Sequence, residues 1–572
     1  MIPAARQFGK RRRPSTTRRG LVLIVVLVMV TLLALLAASY SFMVQSNMRA
    51  AVSNHYRFQA HMAAESGYQR AVAILRVARN DPGIWYNNPE VFKGMLIEGT
   101  DESLSDAEAN LKQRNETGWY DPNAKPAWRF NIVARNYDDP SIVRYGITDE
   151  CSKLDLNAAS ENQLRRLFER TIPQDTTNAI DINVLVDSLL DWREPGAAPR
   201  PNGAKDEFYG QLEPPYRCKS APFSTVEELL LVKGFTAWVV FGEDYNRNGL
   251  LDPNENDGDA SFPPDNGDGA LFAGIAPYLT LWSRELNVSN DQRPRINLNM
   301  QDTQELQTLL EEQFSPAIVS YVMEVRGGGG GAFNSVMNLI PAPPTPETED
   351  DEQELPPTPN IDDLAQDPAT TQPTTNPDDG IDAGLEQPTT DLSQSGEASE
   401  NPPANKPPEF KDLTEIPPPG TFEDLPLILD RLTTDPVPMF TGRINVNTAP
   451  REVLATIEEL TADEIEAIVA ARTALAPEER STAAWLVRNN VLDLHKFRWI
   501  LPKLATKSSV FQVESVGYAD HAGVMDRINV IFEMRGPIAQ VIYTRNLDEL
   551  GTAYTPHGED IRAAQDNTVQ GN

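Results

Sequence analysis

The segment from Asp244 to Glu255 has the residue types and the spacing of a calcium-binding loop. Counted from the first carboxylate, side-chain oxygens fall at positions 1, 3, 5, 9 and 12 of the EF-hand pattern, a backbone carbonyl at position 7, and a glycine at the sharp turn of position 6. We expect a structural calcium ion here, and a solvated turn without an ion is the alternative. The predicted ligands are Asp244, Asn246, Asn248, the carbonyl of Leu250, Asp252 and Glu255, with Gly249 at the turn.

The composition of this loop limits the kind of site it can form. Two of the predicted ligands are amides, which lowers the negative charge and predicts a modest affinity, within the ~10⁻⁴–10⁻³ M range of extracellular calcium modules. Pro253 disfavours a second flanking helix, so we expect a single loop rather than a paired EF-hand. A second acidic cluster without a defined spacing leaves the number of ions open: Asp257, Asp259, Asp265 and Asp268.

No catalytic constellation is recognisable elsewhere, and we predict that the protein is not an enzyme. Asp191 and Glu194 could be paired as acid and base, but a structural turn after a buried helix is the favoured interpretation. Cys151 and Cys218 are candidates for a disulfide in an oxidising compartment, with two reduced thiols as the alternative. The five histidines lack metal-ligand spacing: His55, His61, His495, His521 and His557.

Charge and length narrow the class of protein further. The chain has 572 residues, which suggests several domains. Its 50 Lys+Arg against 83 Asp+Glu give a net charge of -33. Because phosphate backbones are bound by cationic surface, we expect no nucleic-acid partner.

The N-terminus predicts a membrane segment. Residues 1–20 contain seven basic residues and no acidic one, and residues 21–38 are apolar apart from one threonine. These 18 residues span ~27 Å as a helix, close to the thickness of a bilayer core. Three interpretations compete: a signal peptide with an Ala-x-Ser site, a plain anchor, and a prepilin-type leader cut after Gly20. The basic flank predicts a cytoplasmic N-terminus and a periplasmic bulk.

The residues after the apolar run favour the prepilin interpretation. No proline occurs from Leu21 to Asp81, which predicts one helix over residues 21–80. Its second half is amphipathic, as expected of a helix that packs against a globular head. The predicted buried stripe is Phe58, Met62, Gly67 or Ala71, Ile74 and Leu75.

An RRG leader, an apolar run and the segment AAESGYQRA together resemble the pilin and pseudopilin superfamily. The resemblance implies cleavage after Gly20 by a prepilin peptidase and N-methylation of Leu21. Most members have glutamate at the fifth mature position, where this chain has Val25. A subunit without that carboxylate fits the tip of a filament, where no preceding neighbour exists. Sequence drift in a non-assembling anchor is the alternative.

Strand patterns appear on both sides of a mainly helical stretch. Residues 128–136 and 141–150 predict the first strands of an antiparallel sheet, and residues 508–545 predict a hairpin and further strands that complete it. Between them, KLDLN, RINLN and RINVN each precede an amphipathic helix. We expect their asparagines, Asn157, Asn299 and Asn447, to act as turn or N-cap residues. The units resemble SAM-like or helix-hairpin-helix domains.

Several motifs in colinear order, DSLLDWRE, Lys205–Tyr209 and VEELLLVKG among them, resemble the minor pseudopilin K of type II secretion systems. The resemblance implies a tip complex with I- and J-type minor pseudopilins above a shaft of the major pseudopilin, calcium in the head, and a location in the inner membrane. It also implies support of the export of folded proteins from the periplasm. Two alternatives are a minor pilin of a type IV pilus and a membrane-tethered helix-hairpin-helix DNA receptor.

The predicted fold class is α+β, a long helix and a pseudopilin-type sheet with a large helical insertion. Residues 341–420 contain 18 Pro, 19 Asp+Glu and two Lys, a composition that cannot bury a core. The predicted division of the chain is 1–20 leader, 21–80 pilin helix, 81–152 first part of the sheet, 153–340 helical domain with the calcium loop, 341–420 disordered linker, 421–507 second SAM-like unit, 508–550 closing strands and 551–572 polar tail.

Overall fold

The computed structural model describes residues 19–98, 127–173, 180–258, 260–263, 265, 267–328, 332–340, 424–519 and 524–550. The predicted leader, acidic linker and polar tail lie outside these residues, apart from Arg19 and Gly20. The helices are α1 Arg19–Ala78, α2 Pro82–Trp85, α3 Pro89–Phe92, α4 Glu161–Thr171, α5 Ile182–Arg193, α6 Asp206–Tyr209, α7 Ala237–Phe241, α8 Thr303–Gln313, α9 Pro316–Gly328, α10 Leu425–Arg431, α11 Arg451–Leu454, α12 Ala462–Ala474, α13 Trp485–Arg488 and α14 Leu494–Ile500.

The strands form one larger sheet and four short pairs. They are β1 Met95–Glu98, β2 Trp128–Val133, β3 Thr148–Asp149, β4 Leu154–Asp155, β5 Leu279–Thr280, β6 Arg284–Leu286, β7 Ile296–Asn297, β8 Leu432–Thr433, β9 Met439–Thr441, β10 Ile444–Asn445, β11 Leu504–Ala505, β12 Val510–Ala519, β13 Met525–Arg535 and β14 Ile538–Asn546.

The larger sheet joins the two ends of the chain. Its strand order is β1-β2-β12-β13-β14, and β3 pairs with β12. All of these pairs are antiparallel, with Ile132 of β2 opposite Ser515 of β12. This confirms the predicted antiparallel sheet. The strand predicted over residues 141–150 is wrong for most of its length, because Asp139 holds Ser141 in a turn and only the bridge at Arg144 and the short β3 form ladder contacts.

Helix α1 runs for 60 residues and packs its C-terminal half on the sheet. The predicted stripe is right at Gly67, Ala71 and Leu75 and wrong at Phe58 and Met62, whose side chains are 59% and 40% exposed. Alanines and other small residues occupy the contact instead, so the helix backbone approaches the sheet closely. The buried residues of this face are Ala60, Ala63, Ala64, Gly67, Tyr68, Ala71, Val72 and Leu75.

Two glycines make this close approach possible. A Cβ atom on Gly67 would lie 2.1 Å from Ser515 Oγ, and one on Gly517 would lie 2.0 Å from the carbonyl oxygen of Ala60. Because real Cβ atoms do not approach other atoms so closely, both positions require glycine. The helix and the sheet therefore form one core, with Phe511 and Phe532 fully buried in it.

The segment between β3 and β12 contains three repeats of one supersecondary unit. Each repeat is closed by a two-residue parallel strand pair, β4 with β5, β7 with β8, and β10 with β11. Helix α10, at the start of the unit predicted over 421–507, packs with the second repeat, since Ile428 and Leu432 lie in its core. The second repeat is therefore completed by residues that follow the acidic segment.

The asparagine of each repeat lies in a turn, as predicted, but none of the three is the N-cap of the next helix. The residues that cap the next helices are Ser160, Asp302 and Pro450, and not the asparagines. The Asn157 amide accepts a hydrogen bond from Phe223 N at 2.7 Å and donates one to Phe223 O at 3.1 Å. Asn299 makes the same pair of bonds to Phe333, at 2.7 and 2.9 Å. The side chain thus closes the repeat by clamping a distant backbone segment.

Candidate calcium loop and assembly helix

The candidate calcium loop follows α7 in the first repeat. Gly242 ends the helix with a φ of 66°, and its amide donates to Trp238 O at 2.8 Å. A Cβ atom there would lie 1.9 Å from Phe272 O, so the chain that returns from the loop packs directly on this turn. At the other end, Pro253–Glu255 form a single 3₁₀ turn. The loop is consequently held at both ends without a second flanking helix.

The predicted ligands converge on one another. Asp244 Oδ1 accepts from Asn248 N at 3.0 Å and its Oδ2 accepts from Gly249 N at 3.0 Å. Asn246 Oδ1 accepts from Asn248 N at 3.0 Å, and Asn248 Oδ1 accepts from Leu250 N at 2.6 Å. Gly249 has a φ of 72°, the left-handed conformation that the predicted turn requires. These bonds fold the loop so that successive side-chain oxygens turn inward.

The C-terminal half of the loop completes the cluster. Asp252 Oδ2 accepts from the side-chain amides of Asn246 and Asn248, at 2.7 and 3.0 Å. Glu255 accepts from Tyr245 N at 3.0 Å and from Asp252 N at 3.2 Å. Glu255 is 2% exposed and Asp244 4%, so two carboxylates are buried together in the first repeat.

The electrostatics of the cluster favour a cation. Burial, and then the nearby charges of Asp244 and Asp252, raise the pKa of Glu255 to about 8. Burial also raises the pKa of Asp252, and the Asp244 charge adds to this shift against the opposing amides of Asn246 and Asn248. Three carboxylates at close quarters are costly unless positive charge or protons compensate them. A divalent cation would supply that charge.

The donor set fits calcium by its chemistry. It consists of carboxylate, amide and carbonyl oxygens, the hard ligands that calcium prefers. Within the described parts of the chain, no group of three or more His, Cys, Asp or Glu side chains is arranged as a preformed metal site. The predicted ligands include two amides and one backbone carbonyl besides the three carboxylates. The fit therefore rests on the whole oxygen set rather than on its charged members alone.

Two arginines of the sheet contact the loop, and sequence reasoning missed both. Arg135, which follows β2, places Nη2 2.6 Å from Asp244 Oδ2. Arg527, on β13, donates from Nη1 and Nη2 to the carbonyls of Asn246 and Arg247, at 2.6 and 2.7 Å. Neither arginine is near the loop in sequence, so no local pattern could have identified them.

The second acidic cluster has a different geometry. Asp265 accepts backbone hydrogen bonds from Asp257, Gly258 and Gly267, which lower its pKa although burial acts in the opposite direction. Asp268 accepts from Ala270 N at 2.8 Å. Asp259 lies outside the described residues. These carboxylates thus stabilise turns of the segment that returns from the loop.

The cysteines do not form the disulfide that was one of the two expectations, since both thiols are free. Cys151 is fully buried beside β12, and burial raises the pKa of its thiol. The Cys218 thiol lies 3.4 Å from the carbonyl oxygen of Asp191. Each sulfur therefore belongs to a separate local network.

Asp191 and Glu194 have structural partners. Asp191 Oδ2 accepts from Arg200 N at 3.0 Å, and Glu194 Oε2 accepts from Arg200 Nη2 at 2.8 Å. Lys205 is buried, and its ammonium group donates to the carbonyl oxygens of Asp191 and Glu194. These contacts join the end of α5 to the following loop, as the favoured interpretation predicted.

The N-terminal half of α1 extends away from the head. Among the described helices, Leu23–Ala78 is long and apolar enough to cross a membrane, judged by length and composition. Its first part is exposed throughout, and Val25 at the predicted fifth mature position is 52% exposed. Gly20 and Leu21 lie within the α1 backbone, and residues 1–18 lie outside the described part. An exposed apolar surface of this size requires lipid or other helices around it.

Comparison with known proteins gives one family match. Residues 129–240 match the family model described as "Type II secretion system (T2SS), protein K". No curated protein matches the chain. Among solved structures, the chain is similar to one chain in the crystal structure of the GspK-GspI-GspJ complex from the type 2 secretion system of enterotoxigenic Escherichia coli. The identity is 10% and the TM-score 0.34, covering 87% of this chain and 99% of that chain. The matched family segment runs from β2 through α7 and ends just before the calcium loop.

Proposed function

Because residues 129–240 match the protein K family of type II secretion systems, we propose that this chain is a minor pseudopilin that caps the tip of the pseudopilus and supports the export of folded proteins from the periplasm. One observation carries the proposal. Helix α1 is continuous from an exposed apolar half to a half buried on the sheet. That arrangement supports assembly by helix packing, with the globular head displayed outside the helical core.

Two features support a position at the tip. The insertion between β3 and β12 places three helical repeats beside the sheet, a head too bulky to repeat closely along a thin filament. Val25 stands at the fifth mature position, where the resemblance to pilins and pseudopilins implies a glutamate in shaft subunits. A subunit with nothing ahead of it needs no such carboxylate, and an unpaired carboxylate in an apolar layer would be costly.

The N-terminus supports a single-pass location in the inner membrane. A prepilin peptidase would cut after Gly20 on the cytoplasmic side, and Leu21 would become the methylated first residue. The basic residues before Gly20 favour the cytoplasmic side, and the head then lies in the periplasm. Cleavage would leave the apolar half of α1 in the mature protein as its membrane anchor.

The proposed partners are the I- and J-type minor pseudopilins, with the major pseudopilin below them. Co-purification of the tagged full-length chain with these subunits, co-expressed in one cell, tests the proposal. We expect a stable complex with the wild-type chain. The complex should be lost when Met48 and Val52, both exposed on α1, are changed to aspartate, while the buried Ala64 and Ala71, which pack on the sheet, are kept. A chain that never associates with the minor pseudopilins would contradict the proposal. DNA binding that weakens strongly with salt would favour a receptor instead.

We further propose that the loop holds one structural calcium ion. The ligands would be the carboxylates of Asp244, Asp252 and Glu255, the side-chain carbonyls of Asn246 and Asn248, and the backbone carbonyl of Leu250. The ion would supply positive charge to the buried carboxylates. Its structural consequence is a fixed loop between the first repeat and the sheet, since the loop contacts both.

A further inference from the structure

The backbone of the calcium loop is tied to the sheet by one buried guanidinium. Arg527 is 1% exposed, and its Nη1 and Nη2 donate to the carbonyl oxygens of Asn246 and Arg247 at 2.6 and 2.7 Å. Its Nε donates to Glu514 Oε1 on the neighbouring strand β12 at 2.5 Å. These carbonyls belong to the second and third residues after the first ligand, Asp244. Arg527 therefore fixes the course of the backbone without occupying a ligand carboxylate.

The second guanidinium contacts a predicted ligand itself. Arg135 Nη2 lies 2.6 Å from Asp244 Oδ2, and the two side chains are 15% and 5% exposed. The loop also passes closely over this arginine, since a Cβ atom on Gly249 would lie 2.9 Å from Arg135 Nε. The positively charged Arg135 guanidinium thus forms an ion pair with Asp244, the first predicted ligand of the loop.

The acceptor capacity of Asp244 shows what this contact means for an ion. Its Oδ2 accepts from both Gly249 N and Arg135, and its Oδ1 accepts from Asn248 N. A carboxylate has about four acceptor positions, so Oδ1 keeps capacity for an ion while Arg135 stays in place. The Arg135 charge nevertheless offsets part of the attraction between the carboxylates and a cation, because it lies within a poorly solvated site.

We propose that the sheet sets the calcium affinity of the loop through these two arginines, which act in opposite directions. Arg527 is a positioning residue that raises the affinity by holding the loop backbone in its ion-binding course. Arg135 is a resident counter-cation that lowers the affinity and keeps the loop folded when calcium is scarce. The inference rests on the proposed calcium site and adds the control of that site by the sheet.

A consequence for the whole head follows from linkage. If the sheet changes the affinity for calcium, calcium changes the stability of the sheet contacts by the same factor. The ion would then strengthen the junction that Arg527 makes between β13 and the first repeat. It would at the same time reduce the contribution of the Arg135–Asp244 ion pair. Calcium therefore shifts the stabilisation of this junction from the Arg135–Asp244 ion pair toward the Arg527 contacts.

Calcium titration of the full-length protein in detergent micelles, by isothermal calorimetry, tests the proposal. We expect Arg135→Gln to bind calcium on the order of tenfold more tightly, because one competing charge is removed. Arg527→Lys keeps the charge but lacks the planar guanidinium that contacts both carbonyls and Glu514 together, and we expect binding on the order of tenfold weaker. The matched control is Arg129→Gln, because Arg129 lies on β2, the strand that Arg135 follows. Arg129 donates to Gly94 O instead, and its variant should keep the wild-type affinity.

Opposite shifts for the two arginine variants, with an unchanged control, support the proposal. Equal affinities in all proteins, or shifts in the same direction, overturn it. If Arg527→Lys does not fold by near-ultraviolet circular dichroism, Glu514→Gln replaces it, since this change removes the negative charge that pairs with Arg527 Nε and should also weaken binding. A wild type that binds no calcium overturns both this inference and the proposed ion. The pseudopilin assignment is tested separately by co-purification.

Discussion

The first and the third repeats share one framework and differ in one connection. In each, an asparagine follows a short strand, helices pack above it, and a parallel strand returns beside the first. In the third repeat, α14 reaches β11 through the short turn Leu501–Lys503. In the first, the calcium loop and the segment after it occupy the same connection, between α7 and β5. The strand pair is evidently insensitive to the length of this connection, so a loop with its own chemistry can be inserted there.

The largest expected effect concerns the core that the third repeat shares with the first. Phe497 on α14 is fully buried, and Phe497→Ala should lower the free energy of unfolding by about 3–5 kcal/mol because it leaves a cavity. Denaturant unfolding followed by near-ultraviolet circular dichroism measures the loss. The third repeat has no calcium loop in its connection, so the loss should be the same with calcium and with a chelator. A loss that depends on calcium would show that the two repeats are not independent in this respect.

The asparagine clamps give the next effect. Asn157→Ala removes both bonds to Phe223 and should cost about 2–3 kcal/mol, since a buried backbone donor and acceptor lose their partner. The Asn447 amide donates to Arg480 O and Thr506 O at 2.9 and 3.2 Å, but its buried Oδ1 atom has no hydrogen-bond partner within the described structure. Asn447→Ala in the third repeat should therefore cost less, about 1 kcal/mol, because the substitution also removes an unpaired buried oxygen. Denaturant unfolding of the two variants side by side measures the difference. A loss for Asn447→Ala as large as the loss for Asn157→Ala would contradict the predicted difference between the two clamps.

Chelation should affect the first repeat more than the third, although the two repeats share one hydrophobic core. With free calcium at about ten times the dissociation constant, removal of the ion should lower the stability by about 1.4 kcal/mol. Asp244→Asn combined with Glu255→Gln should remove this response, because both changes take charge from the ligand set. Hydrogen exchange of the amides in β4 and β11 reports the two repeats separately. A response to chelator in β11 as large as in β4, or one that persists in the double variant, would contradict a calcium site confined to the loop.

The smallest expected effect is a pH dependence in the third repeat. Partial burial acts to raise the pKa of Glu464. Hydrogen bonds from Lys496 and Thr461 outweigh this effect and lower the pKa of Glu464 below its usual value. A carboxyl with a lowered pKa in the folded state adds stability above its unfolded pKa, ~4.3, and that stability is lost as the pH falls through the folded pKa. The capping box of α4 in the first repeat uses Gln163, which does not titrate.

Glu464→Gln should therefore reduce the acid sensitivity of α12 between about pH 5 and pH 3. Hydrogen exchange in α12, measured across that range and compared with α4, is the readout. An unchanged pH profile for the variant would show that the ion pair with Lys496 contributes nothing. An equal acid sensitivity of α4 would assign the effect to the whole insertion.

Much of the architecture could be predicted from local patterns. The absence of proline predicted the long helix, and alternation around Phe511 and Val530 predicted the hairpin that completes the sheet. The burial face of α1 was harder to predict. Large residues such as Phe58 and Met62 fitted the helical period, but the helix packs through Ala60, Ala64 and Gly67 because the sheet comes too close for larger side chains.

The candidate site could be predicted only in part. The oxygen pattern from Asp244 to Glu255 is local, and the structure brings these residues together as the spacing indicated. Arg135 and Arg527 are more than a hundred residues away from the loop on either side, and only the folded sheet places them beside it. The asparagine clamps were missed for the same reason, because Asn157 meets Phe223 across the repeat.

The central claim is that the apolar half of α1 remains in the finished protein as the stem of an assembled subunit. Protein sequencing and intact mass of the native protein, isolated from membranes that contain the prepilin peptidase, test it most directly. We predict a mature N-terminus at Leu21, with the mass of one added methyl group. An N-terminus beyond Ala38, or at Met1 with the basic leader intact, would contradict the account.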